Sequence, residues 1–257
     1  MAVRDGWILA LQFLTVFPLR KEVNWQRDTA RWSVRFFPAV GLLIGAALAG
    51  WYLLLRWTPT SSLFLALSLL FLSIFLSGGL HADGWMDVSD AFFSYRDTAR
   101  RLEILKDSRV GAFAVLSVVF LLAFRFLFLY ETIVSGISPL VFVVIPFFSR
   151  TFMALLLMAA PLAKPTGMAA AFREHVTGAD QAFILSFFAL TVAIFGWFQP
   201  HLMFVLLIGV VLSFWMARTF YKQQFGGITG DMLGAFVEGT EAWLWFIIWL
   251  LHFFAME

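Results

Sequence analysis

The chain has 257 residues, of which 61% are apolar and 13% charged, and its net charge at pH 7 is +2. A soluble globular domain carries about 45–50% apolar and about 25% charged residues. The composition therefore excludes a disordered, fibrous or ordinary soluble protein and indicates a polytopic membrane protein. Cysteine is absent, which excludes disulfides and thiolate metal sites. The small net charge gives no indication of nucleic-acid binding.

Apolar segments predict the architecture. The first, 7–19, is too short at about 13 residues for a full span, so we expect an interfacial or re-entrant helix there. The later runs are continuous rather than alternating, which predicts transmembrane helices and not barrel strands. We expect an all-α bundle of about seven spans forming a single membrane domain, 1–257. The predicted spans are 36–57, 62–79, 110–130, 137–160, 181–198, 202–217 and 242–255.

The charged residues predict an orientation. Fifteen of the 18 Lys and Arg, and 14 of the 16 Asp and Glu, lie on one side of the predicted spans. The positive-inside rule places this side, with the N-terminus, in the cytoplasm. Because the spans are poor in the midplane polar groups expected of a transporter, the pattern favours an enzyme at the cytoplasmic boundary. The charged segments are 1–35, 80–109, 161–180 and 218–241.

The richest polar stretch follows Gly78 and Gly79, at a predicted membrane exit. Asp83, Asp87 and Asp90 have i, i+4, i+7 spacing, which places their carboxylates on one face of a helix. Neighbouring carboxylates repel one another unless a cation neutralises them or one is protonated. Mg²⁺ prefers oxygen ligands and is often bound by one or two carboxylates together with substrate phosphates. We therefore expect a metal site; the alternative is a solvated acidic face.

A second stretch repeats this pattern 148 positions later. Three residues separate Asp231 from the Gly226–Gly227 pair, as three separate Asp83 from the first pair, and Glu238 follows Asp231 by seven residues. Gly227 would let the backbone approach a phosphate, and Thr229 and Glu238 are candidate substrate-binding residues. If both stretches converge, their acids could hold two metals for an in-line phosphoryl displacement. The alternative is that Asp231 only caps the last helix.

A basic segment lies between these stretches. Lys106 and Arg109, at i and i+3, can face one ligand together, and an arginine provides a bidentate fork for phosphate. Arg100 is a further candidate for binding substrate. Anionic lipid headgroups are the alternative partners of such a juxtamembrane helix.

Three isolated polar residues are further candidates for a functional role. His81 is a candidate general base near neutral pH, although a structural hydrogen bond is the commoner role. Arg35 is either a membrane-boundary anchor or a ligand-binding residue. Arg150 lies inside a predicted span, where a charge needs a partner.

Several short sequence motifs, in order from residue 10 to 241, resemble those of the cobalamin synthase family, the adenosylcobinamide-GDP ribazoletransferases. Departures are mild, such as Leu105 and the Trp85–Met86 pair, and none removes a polar group. The CDP-alcohol phosphotransferases carry the motif Asp-Gly-x-x-Ala-Arg. Here Asp83 and Gly84 are followed by Trp-Met-Asp-Val (85–88), so this motif is not met. The matching words are ALQFLT (10–15), RFFP (35–38), GGLH (78–81), RRLEI (100–104), KDSR (106–109) and TGD (229–231).

The resemblance implies an Mg²⁺-dependent, multi-pass phosphotransferase of the cell inner membrane with its active face in the cytoplasm. It would join adenosylcobinamide-GDP to α-ribazole or its 5′-phosphate and release GMP, late in cobalamin biosynthesis. The alternative is a transporter or a non-catalytic corrinoid-binding subunit. The lipid bilayer is an expected partner, nucleic acid is not, and a homo-oligomer is left open. The predicted catalytic residues are His81, Asp83, Asp87, Asp90 and Asp231, and the four aspartates are also the predicted metal ligands. The predicted substrate-binding residues are Arg35, Gly78, Gly79, Arg100, Lys106, Arg109, Gly227, Thr229 and Glu238.

Overall fold

The computed structural model describes residues 1–255, which are helical with short connections and contain no strand. The prediction of an all-α bundle is confirmed. The helices are α1 (Ala2–Leu14), α2 (Arg27–Arg56), α3 (Ser62–Leu76), α4 (Leu80–Phe93), α5 (Thr98–Ile104), α6 (Ala112–Val134), α7 (Leu140–Ala159), α8 (Met168–Arg173), α9 (Gly178–Phe198), α10 (Pro200–Phe225) and α11 (Gly230–Ala255).

Within these residues, six helices are long and apolar enough to cross a membrane: α2, α6, α7, α9, α10 and α11. A seventh crossing results if α3 and α4, bent by 88°, are counted as one broken span. Large apolar side chains on the outer helices, such as Phe71, Phe120 and Leu190, are exposed, as expected of a surface solvated by lipid. The protein therefore has the features of a multi-pass membrane protein.

The helix bounds differ from the predicted runs for identifiable reasons. The helix α3 ends at Leu76 because Gly78 and Gly79 follow with φ of 67° and 73°, a left-handed conformation that glycine adopts without strain. The last two helices, α10 and α11, each have 26 residues because they continue through polar residues at the end of the bundle. The helix α1 begins and ends earlier than predicted, before Pro18.

The helix α7 is the centre of the bundle, with almost all its residues buried from Val141 to Leu157. The helix α2 approaches it closely through Gly41 and Gly45. A Cβ added at either glycine would overlap α7 backbone at Pro146 or Val143. Small residues spaced four apart permit this approach in membrane helices, where dispersion contacts drive association.

The short helices α4, α5 and α8 collect at one end of the bundle. Arg101 of α5 donates to the Gln224 carbonyl at the end of α10, at 3.1 Å. Arg173 of α8 donates to the Leu157 carbonyl, at 2.9 Å, and to that of Ala160, at the end of α7. These contacts bring together the segments that the sequence predicts to lie on one side of the membrane.

Candidate active site

The helix α4 presents its carboxylates on one face, as the spacing predicts. Asp83 is exposed, and Asp87 and Asp90 are half-buried. The residues of the opposite face, among them Trp85, Val88 and Phe92, line an apolar cavity of about 950 Å³ bordered by α6, α10 and α11. The carboxylates and the cavity therefore lie on different sides of α4.

The predicted convergence of Asp231 on this face is present. The helices α4 and α11 are in backbone contact, because a Cβ added at Gly84 would overlap the carbonyl oxygen of Asp231. The carboxylates also affect one another. Burial, and then the charges of Asp83, Asp231 and Asp90, raise the pKa of Asp87 to about 6. We call Asp83, Asp87, Asp90 and Asp231 the acidic site.

A glycine also makes room for the third carboxylate of α4. Gly111 is the N-cap of α6, and a Cβ at this position would overlap the carboxylate of Asp90. The beginning of α6 therefore closes one side of the acidic site.

The acidic site offers oxygen ligands of the kind that a hard metal cation prefers, and these carboxylates are not neutralised by nearby basic side chains among the described residues. Among the residues that the structure describes, no Lys, Arg or His lies within ion-pair distance of the four carboxylates. The hydroxyl of Thr229 donates to Asp231 Oδ2 at 3.1 Å. No group of three or more His, Asp or Glu in residues 1–255 is arranged closely enough to hold a metal by itself. The oxygen donors fit Mg²⁺ that completes its coordination with water and substrate phosphate.

The second Gly-Gly pair also lies in a turn before a helix. Gly226 ends α10 with φ of 77°, and Gly227 packs against backbone so closely that a Cβ would overlap the Pro161 carbonyl. The next residue, Ile228, forms a short parallel bridge with Leu162. This bridge brings the segment after α7 to the first turn of α11.

Lys164 lies beside the acidic site because of this bridge, and no sequence pattern predicts its position there. It is half-buried, and burial and the charge of Lys106 lower its pKa while Asp231 opposes the shift. These electrostatic effects place Lys164 near both Lys106 and Asp231. No periodicity marks Lys164, since it lies in a loop whose position depends on the Ile228 bridge.

The basic segment is divided between paired and unpaired residues. Arg100 forms an exposed ion pair with Glu103 at 2.5 Å. Arg109, 87% exposed, holds Asp107 in a two-pronged contact, and its hydrogen bonds lower the pKa of that carboxyl to about 2. Lys106 is exposed and has no ion pair among the described residues.

Arg35 lies in a different cluster. Its Nε donates to Asp180 Oδ1 at 2.5 Å, and its guanidinium lies 4.5 Å from the ring centre of Trp32. Arg31 donates to the other oxygen of Asp180, at 3.0 Å. Asp180 also accepts from the backbone N–H and the hydroxyl of Thr177, so it caps the start of α9. This position favours a structural role for Arg35, and its contact with substrate stays a prediction.

The partner of Arg150 is Glu241, which also accepts a hydrogen bond from Arg125. Arg125 donates in addition to Glu238 Oε2 at 2.8 Å, and all four side chains are at most 4% exposed. We call Arg125, Arg150, Glu238 and Glu241 the buried ion network. The carboxylate of Glu238 therefore faces Arg125 inside the bundle, which favours a structural role over the predicted contact with substrate.

His81 joins this network to α4. Its side chain is 2% exposed, and Nδ1 lies 3.4 Å from Arg150 Nη2. Gly234 of α11 packs against the His81 backbone, so little space separates the two helices here. The position favours a role in holding the start of α4, and general-base catalysis stays a prediction.

The chain matches known proteins over nearly its whole length. A family model described as cobalamin-5-phosphate synthase covers residues 6–249. The chain belongs to the cobalamin-5-phosphate synthase family. No solved structure matches it.

Similar curated proteins of this family are named adenosylcobinamide-GDP ribazoletransferase. The protein of Geobacillus sp. (strain WCH70) is 55% identical over 99% of both chains, and that of Geobacillus thermodenitrificans 52% over 98% of both. The protein of Clostridioides difficile is 32% identical over 96% of this chain and 98% of its own. The family resemblance inferred from the sequence words is confirmed, and the relatives give no support to the transporter alternative.

Proposed function

We propose that the protein is an adenosylcobinamide-GDP ribazoletransferase with its active site at the acidic site. The family match over 6–249 supports the reaction. The location of the active site is supported by the convergence of four carboxylates from α4 and α11. Among the described residues, none of these carboxylates is paired with a Lys, Arg or His side chain. A diphosphate substrate brings negative charge, so it can bind there only with cations.

In the proposed reaction, a hydroxyl oxygen of α-ribazole, or of its 5′-phosphate, forms a bond to the phosphorus attached to cobinamide. The bond from that phosphorus to the bridging oxygen breaks, and its electron pair leaves with GMP. The hydroxyl proton is released to a base or to water. Negative charge thus increases on the departing phosphate, where positive groups stabilise the transition state most.

Mg²⁺ would be held by carboxylates of the acidic site, and when bound it would neutralise charge on the diphosphate. The chain's own residues supply the arrangement. Gly84 allows Asp83 and Asp231 to approach, and Thr229 orients the Asp231 carboxylate through its hydrogen bond. Gly111 leaves room for Asp90. These contacts fix acids from distant parts of the chain at one end of the bundle.

Purified protein in lipid nanodiscs tests the proposal. With Mg²⁺, adenosylcobinamide-GDP and α-ribazole phosphate, we expect GMP to appear in a one-to-one ratio with the cobalamin product. Asp231→Asn should lose turnover while keeping much of the binding of adenosylcobinamide-GDP. Glu131→Gln, in the last turn of α6 and at the opposite end of that helix from Gly111, is the matched control. Transport of a corrinoid without GMP release would overturn the proposal.

We further propose that the end of the bundle with α4, α5 and α8 faces the cytoplasm, as the distribution of basic residues indicates. Because the chain has no cysteine, a single introduced cysteine is its only thiol, and labelling of that thiol shows on which side of the membrane the residue lies. An impermeant maleimide added to whole cells should label Ser135→Cys and leave Thr98→Cys unlabelled until the cells are lysed. The reverse pattern would contradict this orientation.

A further inference from the structure

The loop after α7 is held beside the acidic site by backbone contacts. The Ile228 N–H donates to the Pro161 carbonyl at 2.8 Å, and the Ala163 N–H donates to the Ile228 carbonyl at 3.0 Å. Arg173 fixes the beginning of the same loop through the carbonyls of Leu157 and Ala160. Lys164 follows Ala163 directly, and Asp231 lies three residues after Ile228. The position of Lys164 is therefore set by the fold and not by the freedom of a surface side chain.

Two lysines from distant segments meet in this region. Lys106 follows α5, which Arg101 holds against Gln224, four residues before Ile228 and its bridge to the loop of Lys164. The charge of Lys106 accordingly lowers the pKa of Lys164. Neither lysine has a carboxylate within ion-pair distance among the described residues. Two like charges brought together by separate elements repel unless an anion lies between them. The arrangement has the charges expected of a site for a phosphate group.

Arg109 differs from both lysines. Its guanidinium is engaged by Asp107, two residues before it, through Nε and Nη2. It is also among the more exposed cations of this segment. An arginine must give up this carboxylate before it can bind a phosphate, whereas Lys106 and Lys164 have no such contact to lose.

We propose that Lys164 and Lys106 together bind a phosphate group of the nucleotide-linked substrate. The helical spacing predicts this role for Lys106 and Arg109, and in the proposed site Lys164 replaces Arg109. The inference rests on the proposed function. It names a binding residue contributed by the loop after α7. An ammonium is a compact cation that suits a phosphate oxygen, and its contact with the departing GMP phosphate would persist as charge increases there.

Steady-state kinetics in phosphatidylcholine nanodiscs is the first test. Lys164→Ala should raise the KM for adenosylcobinamide-GDP by about tenfold, as expected for loss of one charge-assisted hydrogen bond, and lower kcat less. Lys164→Arg should restore most of the affinity. Lys222→Ala removes an exposed lysine from the last turn of α10 and should match the wild type. An unchanged KM in Lys164→Ala, with a wild-type enzyme that turns over, would overturn the inference and leave the proposed function intact.

Amine labelling provides a second test that needs no turnover. Acetic anhydride modifies unprotonated lysines, and mass spectrometry gives the rate at each site. GDP, which carries the diphosphate of the substrate, should slow the labelling of Lys106 and Lys164 and leave that of Lys222 unchanged. Protection by anionic phosphatidylglycerol alone, without any effect of GDP, would identify a lipid headgroup site and overturn the inference. Protection by GDP in a protein that releases no GMP would support the site and contradict the proposed reaction.

Discussion

The acidic site and the buried ion network use the same kinds of side chain with opposite arrangements. In the network, two arginines and two glutamates pair inside the bundle and leave no formal charge. In the acidic site, four aspartates lie at the end of the bundle without an ion pair among the described residues. Charges that hold helices together are neutralised within the protein, and charges left unpaired are available to a ligand.

The helix α4 connects these two regions. His81, in its first turn, contacts Arg150 of the network, whereas Asp83 is exposed at the acidic site. The network therefore fixes the end of α4 from which the carboxylates project. Changes in the network should therefore reduce stability first, and changes in the acidic site should reduce turnover without unfolding the protein.

The largest expected effect is on stability, from Glu241→Ala. Glu241 accepts hydrogen bonds from both Arg125 and Arg150, so its loss leaves two buried guanidiniums with one carboxylate. Breaking a buried pair in this way costs about 3–5 kcal/mol. Unfolding in detergent, followed by circular dichroism, measures the change. Glu103→Ala, in an exposed pair, should cost no more than about 1 kcal/mol; an equal effect of both variants would contradict the structural role of the network.

Asp87→Asn should show the opposite pattern. Turnover should fall about 100-fold or more, corresponding to a loss of about 2.7 kcal/mol of transition-state stabilisation. The free energy of unfolding without Mg²⁺ should stay constant or rise. The reason is that burial and the neighbouring carboxylates already raise the pKa of Asp87 to about 6, so its ionised form is disfavoured in the fold. Wild-type turnover in this variant would exclude Asp87 as an essential ligand.

Gly84→Ala tests whether the contact of α4 with α11 sets the acidic site. The added Cβ would overlap the Asp231 carbonyl, and neither backbone can move aside freely. We expect a loss of about 1–3 kcal/mol in stability, as in overpacked cores, and a reduced turnover because Asp83 and Asp231 separate. At Gly50, a Cβ would meet nothing within 4 Å, so Gly50→Ala should be neutral or stabilising. Equal behaviour of the two variants would show that the contact is not required.

The acidic site was largely predictable from sequence, because helix periodicity alone places Asp83, Asp87 and Asp90 on one face. The contribution of Asp231 could be inferred from the repeated Gly-Gly pattern, and both pairs lie in turns that precede helices. These signals are local. They depend on spacing within a few turns and not on how helices rotate in the bundle.

The buried ion network could not be predicted in this way. The pairing of Arg150 with Glu241 depends on the rotation of α7 against α11, which apolar patterns leave undetermined. Charge balance was an available signal, since Glu238 and Glu241 share one helix face and two arginines lie inside spans. Lys164 had no signal of this kind, because contacts between segments distant in sequence, the Ile228 bridge among them, bring it to the site.

Arg109, in the basic segment, should contribute less to substrate binding than its neighbour Lys106. Its spacing from Lys106 predicts that both residues bind phosphate, yet Asp107 engages Arg109, and the pair is exposed. Arg109→Ala should therefore raise the KM for adenosylcobinamide-GDP by about twofold to threefold, less than Lys106→Ala, because exposed pairs contribute little. Asp107→Asn, which frees Arg109, should lower the KM or leave it unchanged. If Arg109→Ala instead raises the KM as much as Lys106→Ala does, the arginine leaves Asp107 to bind substrate, and an ion pair in the free protein does not exclude a ligand-binding residue.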